Sequence, residues 1–340
     1  MKNLLFIFLI VAFFAGCSGK ENPVIKINGF TMGTTYSITV VNSENSNKIK
    51  FDTLKRKIDS VLVEVNNKMS TYQKDSELSV FNESKDTSWH PISNDLFTVV
   101  SEGRRISALT DSSFDISAGP IVNLWGFGPE ARPTKIPTKD EVLQRRSFVG
   151  LSKYELSESP VRMKKHHKDL YVDLSSIAKG FGVDEVGRLL SKLKFENYMV
   201  EIGGEVVTGG VNAENSEWKI GISTPDGSSH IQKIVKLSGN ALATSGDYRN
   251  YFEENGVRYS HTVDAKTGKP ITHNLASVSV IYDNCMSADG IATALNVVGE
   301  KKGLELAQKN NWAVLFIVKD GDGFKEVMTK EFEKYLLERK

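Results

Sequence analysis

The chain has 340 residues, 40% of them hydrophobic and 25% charged, an ordinary globular composition with room for one large or two ordinary domains. Its formal charge is +1, from 43 basic and 42 acidic side chains. With no basic excess to neutralise phosphates, the balance argues against a nucleic-acid-binding protein.

The N-terminus reads "MKNLLFIFLIVAFFAGCSGK". Its apolar run, Leu4 to Phe14, is shorter than the roughly 20 residues a spanning helix needs, and a lysine precedes it, the layout of a secretory leader. Ala15-Gly16 before Cys17 resembles a bacterial lipobox. That pattern implies a signal peptide over 1–16, lipidation of Cys17 and a tether over 17–27, ahead of a folded unit over 28–340. The protein is then expected in the bacterial cell envelope, lipid-anchored to a membrane and facing the periplasm or the cell exterior. An uncleaved signal anchor is the alternative. Cys285 is the only other cysteine, so a lipidated Cys17 excludes an intrachain disulfide.

After the tether, "TMGTT" reads as a turn and "YSITVV" as a strand. Apolar residues at helical spacing predict an amphipathic helix over 51–67 and a second over 94–109. Glycine and proline over 119–139 predict a loop. "DLSSIAKGFGVDEVGRLLSKLK" predicts a helix over 173–194, opening on polar residues suited to capping. Short strands separated by glycine turns follow over 197–281, then helices over 287–298 and 300–310 and a strand over 312–318. Strands and helices without regular alternation predict an α+β fold, and no G-x-G-x-x-G follows the first strand to suggest a Rossmann site.

Three clusters carry candidate chemistry. In "CMSADGIATALNVVG", Asp289 and Thr293 stand at i and i+4 on one helix face. They read either as oxygen ligands for Mg²⁺ or as an N-terminal cap and a back-bonded threonine. In "VDLSSIAKGFGVD", Asp173, Ser175 and Ser176 precede Lys179, either an anion site at a helix start or a capped helix with a solvated lysine. Gly180 and Gly182 inside that helix cost roughly 1 kcal/mol each and call for a close neighbour. In "RYSHTVDAKTG", alternation puts Tyr259, His261 and Val263 on one face, with a turn from Asp264 and another expected at Ser245-Gly246-Asp247. His261 is a candidate general base, or a packed strand histidine. Tyr72 is placed to stack on a planar ring or to close the core.

Taken together and in order, "FTMGTTYSI", "MSTYQKDSELSVFN", "FDISAGPIVNLWGFG", "VDLSSIAKGFGVDEV", "IGGEVVTGG", "ATSGDYRNYF", "YSHTVDAKTGKPI" and "MSADGIATALNVVG" resemble the ApbE family, the FAD:protein FMN transferases. The resemblance implies a single compact unit of mixed, mainly antiparallel sheets with packed helices. It implies Mg²⁺ bound by Asp289, Thr293 and an oxygen at Ser176, its backbone carbonyl. FAD is then expected among Met32, Tyr72, Ser113, Phe114, Asp115, Asp173, Lys179, His261 and Asp264. Many relatives carry Gly or Ala where this chain has Ser175-Ser176, a change that a carbonyl ligand survives. The implied reaction moves FMN from FAD to a Thr or Ser hydroxyl of a target protein, with His261 accepting the proton, Asp264 or Asp247 orienting it, and AMP leaving. The implied targets are flavin-bearing subunits of the sodium-pumping NADH:quinone oxidoreductase or related electron-transport complexes. Two rivals share these residues: a Mg²⁺-dependent FAD pyrophosphatase and a non-catalytic FAD-binding lipoprotein.

Overall fold

The computed structural model describes residues 24–41, 49–129, 135–228, 230–246, 251–254 and 257–337. Cys17, the leader, the first part of the tether and Asp247 lie outside the described residues. In chain order the elements are the hairpin β1 (Val24–Thr31) and β2 (Thr34–Val41), helices α1 (Phe51–Met69) and α2 (Glu77–Glu83), strand β3 (Trp89–Pro91) and helix α3 (Asn94–Leu109). Next come α4 (Gly119–Leu124), α5 (Lys139–Arg146), the hairpin β4 (Tyr154–Glu158) and β5 (Val161–Lys165), and α6 (Ala178–Lys192). Strands β6 (Asn197–Ile202), β7 (Glu205–Gly209), β8 (Trp218–Ser223), β9 (Ile231–Leu237) and β10 (Ala241–Gly246) follow. Four short strands, β11 (Tyr251–Glu254), β12 (Val257–Ser260), β13 (Val263–Asp264) and β14 (Lys269–Pro270), lead to β15 (Leu275–Tyr282). Helix α7 (Cys285–Lys309), β16 (Ala313–Asp320), β17 (Gly323–Met328) and α8 (Lys330–Glu333) close the chain.

Eight strands form one sheet in the order β1-β2-β6-β7-β10-β15-β16-β17, every neighbour antiparallel. This is the expected α+β class. Alternation sets the faces at the β1 side: Tyr36, Ile38 and Val40 of β2 point to the helices. Strands β15 and β16, toward the other side of the sheet, are instead buried on both faces, Leu275 to Ile281 and Ala313 to Ile317 without a break. One face is covered by α1, α6, α3 and α7 in two adjoining clusters. The other is covered by the β8–β9 ribbon and the C-terminal segment, through Trp218, Ile220, Ile222, Val235, Leu237 and Phe332.

Helix α1 shows why its segment folds as it does. Leu54, Ile58, Leu62, Val65 and Met69 form one buried stripe, each worth about 1.5–3 kcal/mol of apolar burial. The helix stops at Ser70, whose backbone is extended.

Several boundaries differ from the sequence expectations. Strand β1 begins at Val24, inside the stretch expected as tether, and hydrogen-bonds along its length to β2. The turn between them uses Met32 and Gly33 at φ 50° and 73°, the primed hairpin geometry. The expected loop over 119–139 contains helix α4, which buries Ile121 against Trp125 and Val142. Ser245 and Gly246 are not a turn but the end of β10, paired with Val278 and Ser277. The expected break near residue 299 is real: Gly299 takes φ 78° inside α7. Among the described residues, no helix is long and apolar enough to cross a membrane.

Candidate active site

Helices α6 and α7 hold the centre of the site, and two carboxylates lock them together. Asp184 of α6 accepts from the backbone N–H groups of Cys285 (2.8 Å) and Met286 (2.9 Å) at the start of α7. The Asn284 side chain takes the Ser287 N–H at 2.8 Å, and its carbonyl takes that of Ala288 at 3.2 Å. The first three amides of α7, which have no partner within the helix, are thereby satisfied, and Ala288 makes its first intrahelical bond. In return, Asp289 of α7 accepts from Gly180 N–H at 3.1 Å. Asp289 is therefore not the cap of its helix; Asn284 is. Burial pushes Asp184 up to about 6, against the pull of the two amides it accepts from.

The glycines of α6 now have their reasons. A Cβ on Gly180 would lie 2.4 Å from the Cys285 carbonyl oxygen and 2.8 Å from Met286 Cα, so only glycine lets the two backbones meet. A Cβ on Gly182 would meet Met32 Cε at 2.7 Å. Helix α6 itself starts at Ala178, later than the sequence suggests. Its N-cap, Ile177, makes no side-chain cap bond, so Asp173 and the two serines do not cap it. Asp173 instead turns its carboxylate onto Ser175 N–H at 2.8 Å.

These helices form one wall of a cavity of about 730 Å³, a size suited to a cofactor-sized ligand. Tyr72, Ser113, Phe114, Asp115, Asp173, Ser176, Lys179, His261, Asp289 and Thr293 all line it. Met32 and Asp264, expected beside them, are not among the lining residues. Met32 sits at the β1–β2 turn against Gly182, and the Asp264 carboxylate accepts from Lys266 N–H at 2.8 Å within its own turn.

Each remaining contributor is held by local bonds. Ser70, just past α1, accepts from Tyr72 N–H (3.1 Å) and Gln73 N–H (3.2 Å), fixing the backbone while the Tyr72 ring stays 70% exposed. Asp115 accepts from Ser117 N–H (2.9 Å) and hydroxyl (2.6 Å), and burial raises its carboxyl above the usual range despite these bonds. Buried Asn82 exchanges two 2.8 Å bonds with the Val172 backbone, and Asp173 N–H donates to Ile116 carbonyl at 2.7 Å. That pins Asp173, whose carboxyl burial also raises. His261 lies between β12 and β13 with its ring edge-on to Phe127 at 6.4 Å. Next to it, Thr262 is buried near Asn296 of α7, whose amide donates to Thr262 Oγ1 at 3.5 Å and Ser245 Oγ at 3.2 Å.

Besides Asp184, a second carboxylate escaped the sequence reading. Glu205, the first residue of β7, is 3% exposed and its carboxylate stands 2.8 Å from Lys179 Nζ. Lys179 Nζ is also 3.9 Å from Asp289 Oδ2. Burial alone would depress the lysine, but Asp289 and Glu205 outweigh it and hold it above its usual range. Burial pushes Glu205 up to about 7, with Lys179 pulling back. Asp289 is raised by the same cause. The signal was present in "GGEVVTGG": a glutamate inside a strand buried at every position needs a partner.

The residues present suit a hard divalent cation. Glu205 Oε2 is buried without a hydrogen-bond partner, and two carboxylates face one ammonium, leaving local negative charge. Among the described residues no three His, Cys, Asp or Glu side chains converge as a metal site. A cation here would draw on the Thr293 hydroxyl, backbone oxygen and a ligand's own oxygens, a donor set that fits Mg²⁺ and does not fit zinc.

Comparisons with known proteins identify the family. The ApbE family model matches residues 32–316. The FAD:protein FMN transferase of Vibrio cholerae serotype O1 is 45% identical over 337 residues, covering 99% of each chain. The Escherichia coli K12 protein of the same name is 37% identical over 338 residues, covering 96% of this chain and 95% of its own. Among solved structures, a flavin transferase ApbE from Vibrio cholerae superposes with TM-score 0.86 at 44% identity, covering 93% of this chain and 100% of that one. The apo form of the Pseudomonas stutzeri flavinyl transferase ApbE gives 0.85 at 37%, covering 93% and 97%. Family model, curated relatives and solved structures agree: the chain belongs to the ApbE family.

Proposed function

We propose that the protein is a Mg²⁺-dependent FAD:protein FMN transferase that moves the FMN moiety of FAD to a Thr or Ser hydroxyl of a target flavoprotein and releases AMP. The observation that carries the reading is the convergence of Asp289, Thr293, Ser176, Lys179, His261 and Tyr72 on one cavity from segments far apart in the chain. Relatives across nearly the whole length are named FAD:protein FMN transferase.

Asp289, Thr293 and an oxygen of Ser176 are the residues to hold Mg²⁺, which when bound supplies positive charge beside the pyrophosphate. Lys179, steadied by Glu205, adds a second positive charge at the same wall. The exposed Tyr72 ring, on its fixed backbone, offers a face for the isoalloxazine or the adenine to stack on. His261 accepts the proton of the acceptor hydroxyl as its oxygen bonds to the FMN-side phosphorus. The bond from that phosphorus to the bridging oxygen breaks, and AMP leaves with the electron pair. Bases of this kind typically contribute about 10²–10⁴-fold. The targets are flavin-bearing subunits of the sodium-pumping NADH:quinone oxidoreductase or related electron-transport complexes, met at the cell envelope by an enzyme anchored through a lipid on Cys17.

The test is to incubate the protein with FAD, Mg²⁺ and a candidate subunit, then weigh the intact subunit. A mass gain of FMN less water, lost when one acceptor Thr is replaced, supports the proposal. AMP and free FMN with no mass gain would make it a pyrophosphatase. Bound FAD with no turnover would make it a flavin-binding protein.

A further inference from the structure

We propose that Glu205 is a positioning residue that sets the affinity of the site for a divalent cation by holding Lys179 away from Asp289. The inference rests on the reading of Asp289 and Thr293 as cation ligands and names a residue outside that set. The ammonium of Lys179 lies between two buried carboxylates, 2.8 Å from Glu205 and 3.9 Å from Asp289. A lysine paired with Asp289 would occupy the oxygen that a cation needs and would repel the cation besides. The closer contact to Glu205 keeps that oxygen available.

The two partners differ in rigidity, which makes the arrangement a device. Glu205 is fixed: it pairs with Ile202 across the β6–β7 turn. That turn is pinned by Gly203 N–H donating to Thr35 carbonyl at 3.1 Å and Gly204 N–H donating to the Glu201 carboxylate at 2.7 Å. Lys179 is movable, on a four-carbon stem in the first turn of α6, with its side chain 28% exposed. The second oxygen of Glu205 has no hydrogen-bond partner and is buried, so nothing else in the described protein accounts for placing a carboxylate there. Without Glu205, the nearest opposite charge to the lysine is Asp289.

The experiment is a double-mutant cycle read by Mn²⁺ binding to the FAD-free protein, by electron paramagnetic resonance or calorimetry, with thermal unfolding as a check on folding. Glu205→Gln keeps the shape and should weaken Mn²⁺ binding roughly tenfold or more, the scale of a unit charge moved onto a ligand at close range. Lys179→Met should strengthen it. In the Lys179→Met background, Glu205→Gln should cost less than about threefold, since the lysine it restrains is gone. Glu205→Asp, which keeps the charge, should recover most of the affinity. Unchanged affinity in Glu205→Gln overturns the proposal. An equal loss in both backgrounds also overturns it, because Glu205 would then act on the cation without the lysine. Binding lost in Asp289→Ala but unmoved by Glu205→Gln overturns this proposal alone. No Mn²⁺ binding by the unaltered protein overturns the cation reading and this proposal together.

Discussion

Gly180→Ala sets two effects against each other, and the structure decides between them. Helix propensity alone favours the change by about 1 kcal/mol, since glycine is a poor helix former. The added Cβ would lie 2.4 Å from the Cys285 oxygen, 2.7 Å from its carbonyl carbon and 2.8 Å from Met286 Cα. All three are backbone atoms, so no side chain can rotate away, and α6 and α7 must part by about 1 Å to reach ordinary contact. Overpacking of this kind costs about 1–3 kcal/mol. The same movement stretches the Gly180–Asp289 bond of 3.1 Å and the two bonds that Asp184 accepts, each worth about 1 kcal/mol. The net expectation is a loss of about 2 kcal/mol, with weaker Mn²⁺ binding because Asp289 moves. Gly182→Ala is the control: its Cβ crowds the flexible end of Met32 and otherwise makes an ordinary contact with Ile202 Cδ1 at 3.7 Å, so stability should stay within about 1 kcal/mol. Urea denaturation of the purified proteins reads the difference through the midpoint. A Gly180→Ala protein as stable as Gly182→Ala, with cation binding intact, would refute the reasoning.

The carboxyl of Asp184 rises from 3.8 to about 6 on folding, so the folded state holds its proton more tightly. Its contribution to stability is fully present below about pH 4 and is lost as pH rises through 6. Relative to the unaltered protein, Asp184→Asn should therefore gain about 3 kcal/mol between pH 4 and pH 7, measured by denaturation at each pH. A constant difference would remove the assignment. Lys165 is fully buried and donates to the carbonyls of Phe81 (2.7 Å), Asn82 (3.2 Å) and Ser84 (2.8 Å), closing the end of α2. Lys165→Met should cost about 3 kcal/mol in the same assay, as three carbonyls lose their donor. His261→Ala should keep FAD binding by fluorescence while transfer slows by about 10²-fold or more; unchanged turnover would take His261 out of the proton-accepting role. Cys17→Ala should release the protein from membranes on fractionation, and continued attachment would point to an uncleaved anchor.

The helices were readable because their faces repeat: α3 spans the expected 94–109, and α1 runs two residues past the expected end at 67. The break at Gly299 was readable too, as a glycine between two apolar runs. What the sequence hid was pairing across distance. Strands β4 and β5 form a hairpin whose residues, "YELSE" and "VRMKK", are mostly polar because one face is solvated. Helix α4 was masked by its own Gly119 and Pro120, which suit a helix start as well as a loop. At the site, residue types with obvious chemistry could be named from the motifs, and ten of them line the cavity. Glu205 and Asp184 could not be placed, because each acts through a partner about 26 or 100 residues away. Asp264 does begin the turn read from the sequence, its side chain satisfying a backbone amide two residues on.

The sheet order has a consequence for how the protein matures. Strand β2 pairs with β6, Tyr36 opposite Ile202, with helices α1 to α6 and strands β3 to β5 made in between. The cavity is lined by residues from Tyr72 to Val297, and one of its walls needs α7, which follows β15. Such non-local closure folds slowly, and no early fragment of the chain holds a usable pocket. Flavin can be captured only after the polypeptide has been made through α7 and closed upon itself. Once there, a ligand at about 100 times its dissociation constant adds about 2.7 kcal/mol to the entire unit. A shift in melting temperature should then report loading of the pocket as a single transition across the molecule.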